Sequence, residues 1–577
     1  MPTWTSPSAP PASWTRSFAA SKRTSCPPRA CPYNALVAIG REAMPNIWAL
    51  LVGLIWLAGA WLRLRQQARF YQIEEYMSRR YLRWLLAARE RYSPLRPIGA
   101  GLLGVALMTL AAQPVDAIAG SLFALAAILP KRAGTVKKPL VMTTRVKRIL
   151  FLALLLSALP IVGAWVAVAE VAVISAVGLA LWLLMPLWLL IANGLLTPLD
   201  ALLRRRFLRQ AAAVLAQTQP KIIGITGSYG KTTTKTFLRD ILSLRYQVYA
   251  SPKSYNTLMG ISLAINRDLA EDYRTEIFIS EMGAYVPGEI ARICQLTPPD
   301  IAIITEVGPQ HLERFGSLEN VQKAKYELVA NLPPDGLAIF NWDNTYIRAM
   351  YKRGYPAKRL TVSRELSLDE ARAQGVDWLA QDMRESIAGL SFRVMDVKSG
   401  EYAQVETRLH GEHNVSNLLL CIATARNEGI PLRDIAGRIR RLQPAESRLV
   451  REKTAAGITI INDAYSANPS GIIGALKLLG MHETGARLLI TPGMIELGAL
   501  QDQENHKLGR LAAEYATDII LVGEAQTAAI LRGIETTAFD RARVHVVDSL
   551  EQSVAWYQQR LGHGDTVLFL NDLPDTY

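Results

Sequence analysis

What most limits the fold of this chain is where its apolar residues lie. Half of the 577 residues are hydrophobic, and the excess falls almost entirely before residue 200. A water-soluble domain alternates apolar and polar positions at the period of its helices or strands, so long unbroken apolar runs point to a lipid solvent. Residues 46–62 read NIWALLVGLIWLAGAWL, enough to span a bilayer with polar ends snorkelling. Residues 97–130 form a longer run broken by Gln113-Pro114-Val115-Asp116, and 149–196 a longer one still, with Glu170 near its middle. Each of these two is read as a pair of spans joined by a turn. The expectation is therefore about five transmembrane helices in a region 46–200, with the N-terminus outside and the chain entering the cytoplasm before Arg204.

The charge supports that orientation and removes another possibility. A net charge of +14 invites a nucleic-acid reading. The basic residues, however, cluster beside the apolar runs. Nine arginines stand against Glu74, Glu75 and Glu90 between residues 63 and 96; residues 131–148 hold seven basic residues and no acid; Arg204, Arg205, Arg206 and Arg209 follow. Outside these stretches the chain is slightly acidic. Such clusters mark the cytoplasmic side of a membrane, where they can meet anionic lipid. No nucleic-acid partner is expected.

Residues 1–45, rich in Pro, Ser and Ala and without apolar period, read as a disordered tail, and Met44 is a candidate translation start. Cys26, Cys31, Cys294 and Cys421 form no CxxC pair, which argues against a zinc site or a disulfide framework.

After Arg209 the pattern changes to short β-rich runs between helical stretches: KIIGIT, EIFIS, DIAIIT, GLAIFN, GITIIN, ARLLIT, TDIILVG and DTVLFL. Continuous apolar strands separated by helices imply parallel sheets covered on both faces. A seam near 441–445 divides them into a P-loop domain over 215–442 and a Rossmann-like domain over 443–577. The first run leads into Gly224-Ile-Thr-Gly227-Ser228-Tyr-Gly230-Lys231-Thr232-Thr233-Thr234, a glycine-rich turn between strand and helix. Backbone N–H groups there can approach phosphate oxygens and the helix N-terminus adds partial positive charge. Lys231 is placed to bridge the β- and γ-phosphates of ATP, and Thr232 to offer a hydroxyl to Mg2+. An isolated glycine-rich turn is an ordinary strand–helix connection; the Lys-Thr-Thr and its flanks make this one a phosphate loop. Glu281 ends the EIFIS run, and a carboxylate at a strand tip beside such a loop suits Mg2+, which wants oxygen ligands.

The spacing departs from the general G-x4-GK[ST] form, because residue 225 is Ile. TGxxGKTTT resembles the Mur ligase family, and the downstream motifs extend the resemblance in order over roughly residues 217–570. Glu281-Met-Gly with Pro287-Gly-Glu-Ile is similar to the branch that adds D-alanyl-D-alanine. Residues 304–317 are similar to TNIGPAHLEGFGS, with Glu306 where Asn is usual. Ala324-Lys325-Tyr-Glu327, Asn341-Trp-Asp343, Gly411-Glu-His413-Asn414-Val-Ser-Asn417, Asp463-Ala-Tyr465-Ser-Ala-Asn468-Pro469 and Met494-Ile-Glu496-Leu-Gly498 with His506 follow.

The resemblance implies several roles. Gly227, Ser228, Gly230 and Thr233 join Lys231 and Thr232 around the phosphates. Asn341, Asp343, His413, Asn414 and Asp463 lie near the nucleotide, and Arg448 faces its γ-phosphate. His311 and a carbamylated Lys325 serve a second Mg2+. The chemistry implied is ATP-dependent activation of a carboxylate as an acyl phosphate, followed by attack of an amino acid or dipeptide. That describes a ligase of cell-wall precursors, here at the bacterial inner membrane and with membrane lipid as a neighbour. Two features depart from the family. Its uridine-nucleotide-binding N-terminal domain is replaced by the apolar region, and its KGSR-type segment by Asn571-Asp-Leu-Pro-Asp575. A membrane-associated synthetase of the poly-γ-glutamate type, acting on a carboxylate-bearing polymer, and a non-ligase ATP-driven membrane protein are the alternative readings.

Overall fold

The computed structural model describes residues 47–570 apart from 75, 88, 93, 111–114, 129–138, 169, 253–254 and 465–467. The N-terminal tail with Met44, the basic stretch before residue 139, the Gln113-Pro114 break and the 571–575 replacement lie outside the described residues. The chain forms two compact units, one ending at Thr197 and one beginning at Pro198.

The first unit is helical. Its apolar helices are Ile47–Ile73, Leu95–Leu110, Val115–Ile128, Thr144–Ala167, Val171–Leu183 and the start of Met185–Thr218. Three of them, Ile47–Ile73, Thr144–Ala167 and Met185–Thr218, are long and apolar enough to cross a membrane by length and composition. Small residues let these helices approach closely: a Cβ at Gly178 would lie 2.3 Å from the Trp56 ring, and one at Gly104 would lie 2.6 Å from Phe123. The pair expected within 97–130 is present. The run 149–196 differs from the two spans expected, because it makes three helical pieces. Glu170 stands before the second piece in an extended conformation. A further break falls at Leu184, where Pro186 in the first turn of the next helix needs no N–H partner.

The second unit contains two sheets. The larger has nine strands in the order β2-β3-β1-β4-β5-β6-β7-β8-β9. These are β1 Lys221–Thr226, β2 Val248–Ala250, β3 Ile277–Glu281, β4 Ile301–Ile304, β5 Leu337–Asn341, β6 Lys358–Ser363, β7 Trp378–Ser386, β8 Gly389–Asp396 and β9 Tyr402–Thr407. Strands β1 to β7 pair in parallel. Along β1, Ile223 and Ile225 enter one buried cluster and Ile222 the other, so both faces are covered. The chain passes from β3 across β1 to β4, which makes the carboxyl ends of β1 and β4 a topological switch point, the usual place for a ligand crevice in an open α/β sheet.

Strands β7, β8 and β9 pair antiparallel, which departs from the purely parallel sheet expected. Burial along β9 alternates, as in a meander with one face toward water.

The smaller sheet has the order β10-β11-β15-β12-β13-β14. It comprises β10 Val450–Lys453, β11 Thr459–Asp463, β12 Arg487–Thr491, β13 Asp518–Val522, β14 Val544–Val547 and β15 Thr566–Leu570. Only β10, at one edge, runs antiparallel to its neighbour. Its buried clusters again lie on two faces. The second unit thus has two α/β sheets, as the alternation of strand and helix signals implies.

Candidate active site

The loop after β1 shows why glycine is required. Gly230 has φ +80° and stands immediately before the helix Lys231–Leu242. A Cβ there would be strained and would lie 2.5 Å from Asn417 Oδ1. The loop backbone is therefore bare on the side a phosphate would approach. Lys231 folds back over it, its Nζ donating to the carbonyls of Gly227 (2.8 Å) and Ser228 (3.0 Å). Burial pulls the Lys231 ammonium down to about 8, with Glu281 opposing and Arg448 adding to the effect.

Glu281, the last residue of β3, is buried. The Thr232 hydroxyl donates to its two carboxylate oxygens at 3.0 and 3.1 Å. Asn256 donates at 3.3 Å, and the buried Lys235 ammonium lies 2.9 Å away. Burial opposes ionisation of this carboxyl, but Lys235 and Lys231 outweigh it and hold it below the usual carboxylate range. The hydroxyl and carboxylate expected to serve Mg2+ therefore stand together, a pair of hard oxygen donors suited to that ion. Lys235 was not anticipated. Its signal was present: it lies one helical turn after Lys231 and so on the same helix face.

His311 is reached through a different pairing. Its Nδ1 bonds the carboxylate of Glu496, which approaches from the loop after β12, and Arg314 lies 3.7 Å from the same carboxylate. Burial lowers the His311 pKa, while Glu496 resists. With Nδ1 so engaged, Nε2 is the ring nitrogen left for a metal. Lys325 is 3% exposed, and its Nζ lies 5.5 Å from the centroid of the Phe315 ring. Burial, then the nearby Lys231, hold its pKa well below the usual lysine value. Glu327 is engaged elsewhere, accepting from the backbone N–H groups of Gly288 and Ala291. Among the described residues no three His, Cys, Asp or Glu side chains converge as a metal cluster, so any second cation would lean on His311 and Lys325.

One cleft is lined by Gly230, Thr233, Asn341, Asp343, His413, Asn414, Arg448 and Asp463 together, which brings the proposed nucleotide residues from both sheets to one place. The polar side chains of the larger sheet are fixed locally. Asn341 donates to Thr305 O at 3.0 Å, and Asp343 accepts from the Arg364 N–H at 3.0 Å. Asn414 donates to His410 O at 2.7 Å, and Asn417 accepts from the Thr234 hydroxyl at 3.2 Å. Burial, then Arg364 and Arg448, push the His413 imidazole down to about 4, so it is neutral at physiological pH. Burial pushes Asp463 up to about 6 against the pull of Arg448.

The segment joining the sheets contributes its own lining residues, Pro444, Ala445, Arg448 and Leu449. Ser447 and Leu449 have φ of +54° and +50°, a conformation that costs non-glycine residues energy.

Glu306 sits in the same cleft. Its carbonyl accepts from Ser228 N–H at 2.6 Å and its carboxylate from the Ser470 hydroxyl at 3.0 Å. Burial raises its pKa. Sequence reasoning did not anticipate Ser470 or Arg364, which stand outside the motif positions.

Residues 225–425 match the Mur ligase middle domain, and residues 441–571 match the Mur ligase, glutamate ligase domain. The UDP-N-acetylmuramoyl-tripeptide--D-alanyl-D-alanine ligase of Mycobacterium bovis (strain ATCC BAA-935 / AF2122/97) is 31% identical over 383 residues, covering 62% of this chain and 72% of its own length. The enzyme of the same name from Bacillus subtilis (strain 168) is 29% identical over 364 residues, covering 62% and 74%. Among solved structures, a crystal structure of MurF from Acinetobacter baumannii superposes with a TM-score of 0.55 at 26% identity, over 64% of this chain and 77% of that one. With the phosphate loop, the strand-end carboxylate and a cleft lined from two α/β sheets, these matches establish that the chain belongs to the Mur ligase family.

Proposed function

We propose that this chain is an ATP-dependent carbon–nitrogen ligase that joins D-alanyl-D-alanine, or a closely similar amino compound, to a carboxylate of a peptidoglycan precursor. The observation that carries this is the Thr232–Glu281 pair at the mouth of the phosphate loop, in a unit that presents Arg448 and Asp463 to the same cleft from the second sheet. The names of the relatives supply the substrate class.

In this reading the Lys231 ammonium and the loop N–H groups hold the phosphates of ATP, and Arg448 offers a second cation to the transferring phosphoryl group. Thr232 and Glu281 hold Mg2+, which when bound neutralises phosphate charge. Glu496 fixes the His311 ring so that Nε2 faces the site, as carboxylates orient metal-binding histidines. Lys325, buried and held toward its neutral amine, is in the form that adds carbon dioxide to become a carbamate and so a second anionic ligand. The acceptor carboxylate takes the γ-phosphoryl group to form an acyl phosphate. The incoming amine attacks its carbonyl carbon, and phosphate leaves. The protein acts by positioning and by stabilising charge.

The first unit is read as membrane-spanning, with the second unit in the cytoplasm. The three long apolar helices and the flanking arginines support this. A reporter placed within 63–96 then lies inside, and one within 113–116 outside; the reverse result removes the topology. The ligase is tested by mass spectrometry of products formed from ATP, a carboxylate acceptor and D-alanyl-D-alanine. One amide bond per ADP released is expected. ADP release that needs neither acceptor nor amine would instead favour an ATP-driven membrane protein.

A further inference from the structure

In the helix Ile47–Ile73 the apolar run ends at Leu62, and the residues that follow place Arg63, Gln67 and Glu74 on one helix face. All three are buried. Two have matched partners: Gln67 accepts from the Tyr81 hydroxyl at 2.6 Å, and Glu74 pairs with Arg80 at 3.1 Å. Arg63 does not. It is 5% exposed, donates one N–H to Tyr92 O at 3.2 Å, and lies with its guanidinium 3.8 Å from the centroid of the Trp182 ring. Its Nε–H is buried without an acceptor, and among the described residues it has no carboxylate partner.

A guanidinium keeps its charge inside a protein and carries five N–H donors. The Trp182 face and the C-terminal end of the helix Val171–Leu183 offset only part of that charge. The missing complement is an anion with several acceptor oxygens, and phosphate matches the guanidinium fork with two parallel hydrogen bonds. The depth of the site follows from the packing. Gly53 meets Ile174, Gly178 meets Trp56 and Arg63 meets Trp182, so the two helices run in the same direction and their apolar stretches end together at Arg63. In a bilayer that level belongs to headgroups. Tyr71 and Tyr81, packed 4.9 Å apart beside it, suit that interface.

We infer that the first unit binds the phosphate of a lipid-borne molecule at Arg63, with Trp182 and the Tyr92 carbonyl fixing the guanidinium. This rests on the reading of the chain as a membrane-spanning ligase and deepens it, because the acceptor then arrives on a phospholipid-like carrier. The shared chemistry is a phosphate monoester or diester, and the lipid-borne form is favoured over free phosphate by the depth of the site.

The test uses the full chain in phosphatidylcholine nanodiscs, titrated with hexadecyl phosphate, hexadecanol, phosphatidylglycerol and inorganic phosphate, with bound ligand counted by native mass spectrometry. Hexadecyl phosphate is expected to bind the wild type, to lose about tenfold or more in affinity in Arg63→Gln, and to bind Arg63→Lys at an intermediate level. Binding of a fluorescent ADP analogue reports folding of each variant. If Arg63→Gln fails to fold, Trp182→Leu replaces it, with a loss of severalfold expected. Equal binding of hexadecyl phosphate and hexadecanol overturns the site, as does unchanged affinity in a folded Arg63→Gln. Inorganic phosphate competing at equal concentration, or phosphatidylglycerol binding as well as hexadecyl phosphate, overturns the lipid-borne ligand. Amide formation on a soluble acceptor, unaffected by Arg63→Gln, sinks this inference and leaves the ligase intact. Arg63-dependent lipid binding without ADP release on any acceptor does the reverse.

Discussion

The two sheets of the second unit both present chemistry at the carboxyl ends of parallel strands, yet they hold it differently. On the larger sheet Glu281 is fixed by Thr232, Lys235 and Asn256, and Asn341, Asp343 and Asn414 each have a short bond to neighbouring backbone or side chain. The smaller sheet reaches the same region through loops: Glu496 to His311 and Ser470 to Glu306. Glu496 itself has φ +61°. The first arrangement is preorganised, with donors and acceptors in place before substrate arrives. The second depends on the smaller sheet being brought to the larger, so closure of the two is part of the chemistry.

The comparison breaks most visibly at Lys231. Lys231→Ala is expected to lower kcat by about 10²–10³-fold or more, since a fixed cation is lost where phosphate charge develops. Steady-state turnover of a variant that still folds would show this, and near-normal turnover would remove the preorganised site.

Glu281→Ala separates structure from chemistry on the same sheet. It removes the proposed Mg2+ ligand and leaves Lys235 buried without its partner. Breaking such a pair costs about 3–5 kcal/mol. Denaturant unfolding should therefore detect it with no ligand present. Stability equal to wild type would mean that the Glu281–Lys235 pair contributes little.

Glu496→Ala tests the other sheet. Losing one charged hydrogen bond to His311 costs about 1.5–3 kcal/mol. If that loss falls on the closed state, kcat drops about 10- to 100-fold, while ADP binding and stability stay near wild type. A stability loss as large as that of Glu281→Ala would erase the distinction between the two sheets.

The smallest effect is on pH. Free Lys231 titrates near about 8. A bound polyphosphate favours its charged form, so nucleotide binding takes up a proton once the free amine has begun to lose its own. Affinity is then flat below about pH 8 and falls as pH rises above it, by at most about tenfold per unit. Calorimetric titration in buffers of different ionisation enthalpy reads that proton directly. Lys231→Ala should abolish the uptake.

How much of this was legible in the sequence depended on how local each feature is. The phosphate loop was, because a strand, three glycines and a Lys-Thr-Thr must follow one another for the backbone to bend around phosphate. Glu281 was, because a strand end fixes its place. Lys235 was overlooked because a lysine on a helix usually faces water; only the fold shows it buried against β3. The His311–Glu496 contact joins residues far apart in the chain, and no spacing foretells it. Strands β7–β9 carry alternating patterns that a search for continuous apolar runs passes over. The break at Leu184 was hidden in apolar sequence, and Pro186 was its only local sign.

The joining segment has a further use. Because Pro444, Ala445, Arg448 and Leu449 line the cleft, the stretch most exposed to bending is also in contact with the ligand. Anything that fills the cleft and binds the folded form alone raises stability by about 2.7 kcal/mol at a hundred times its dissociation constant. Much of that gain should appear at the joint, as resistance to proteolytic nicking near residues 441–449. A protease and a gel could then rank cleft ligands, without knowledge of the acceptor and without a turnover assay.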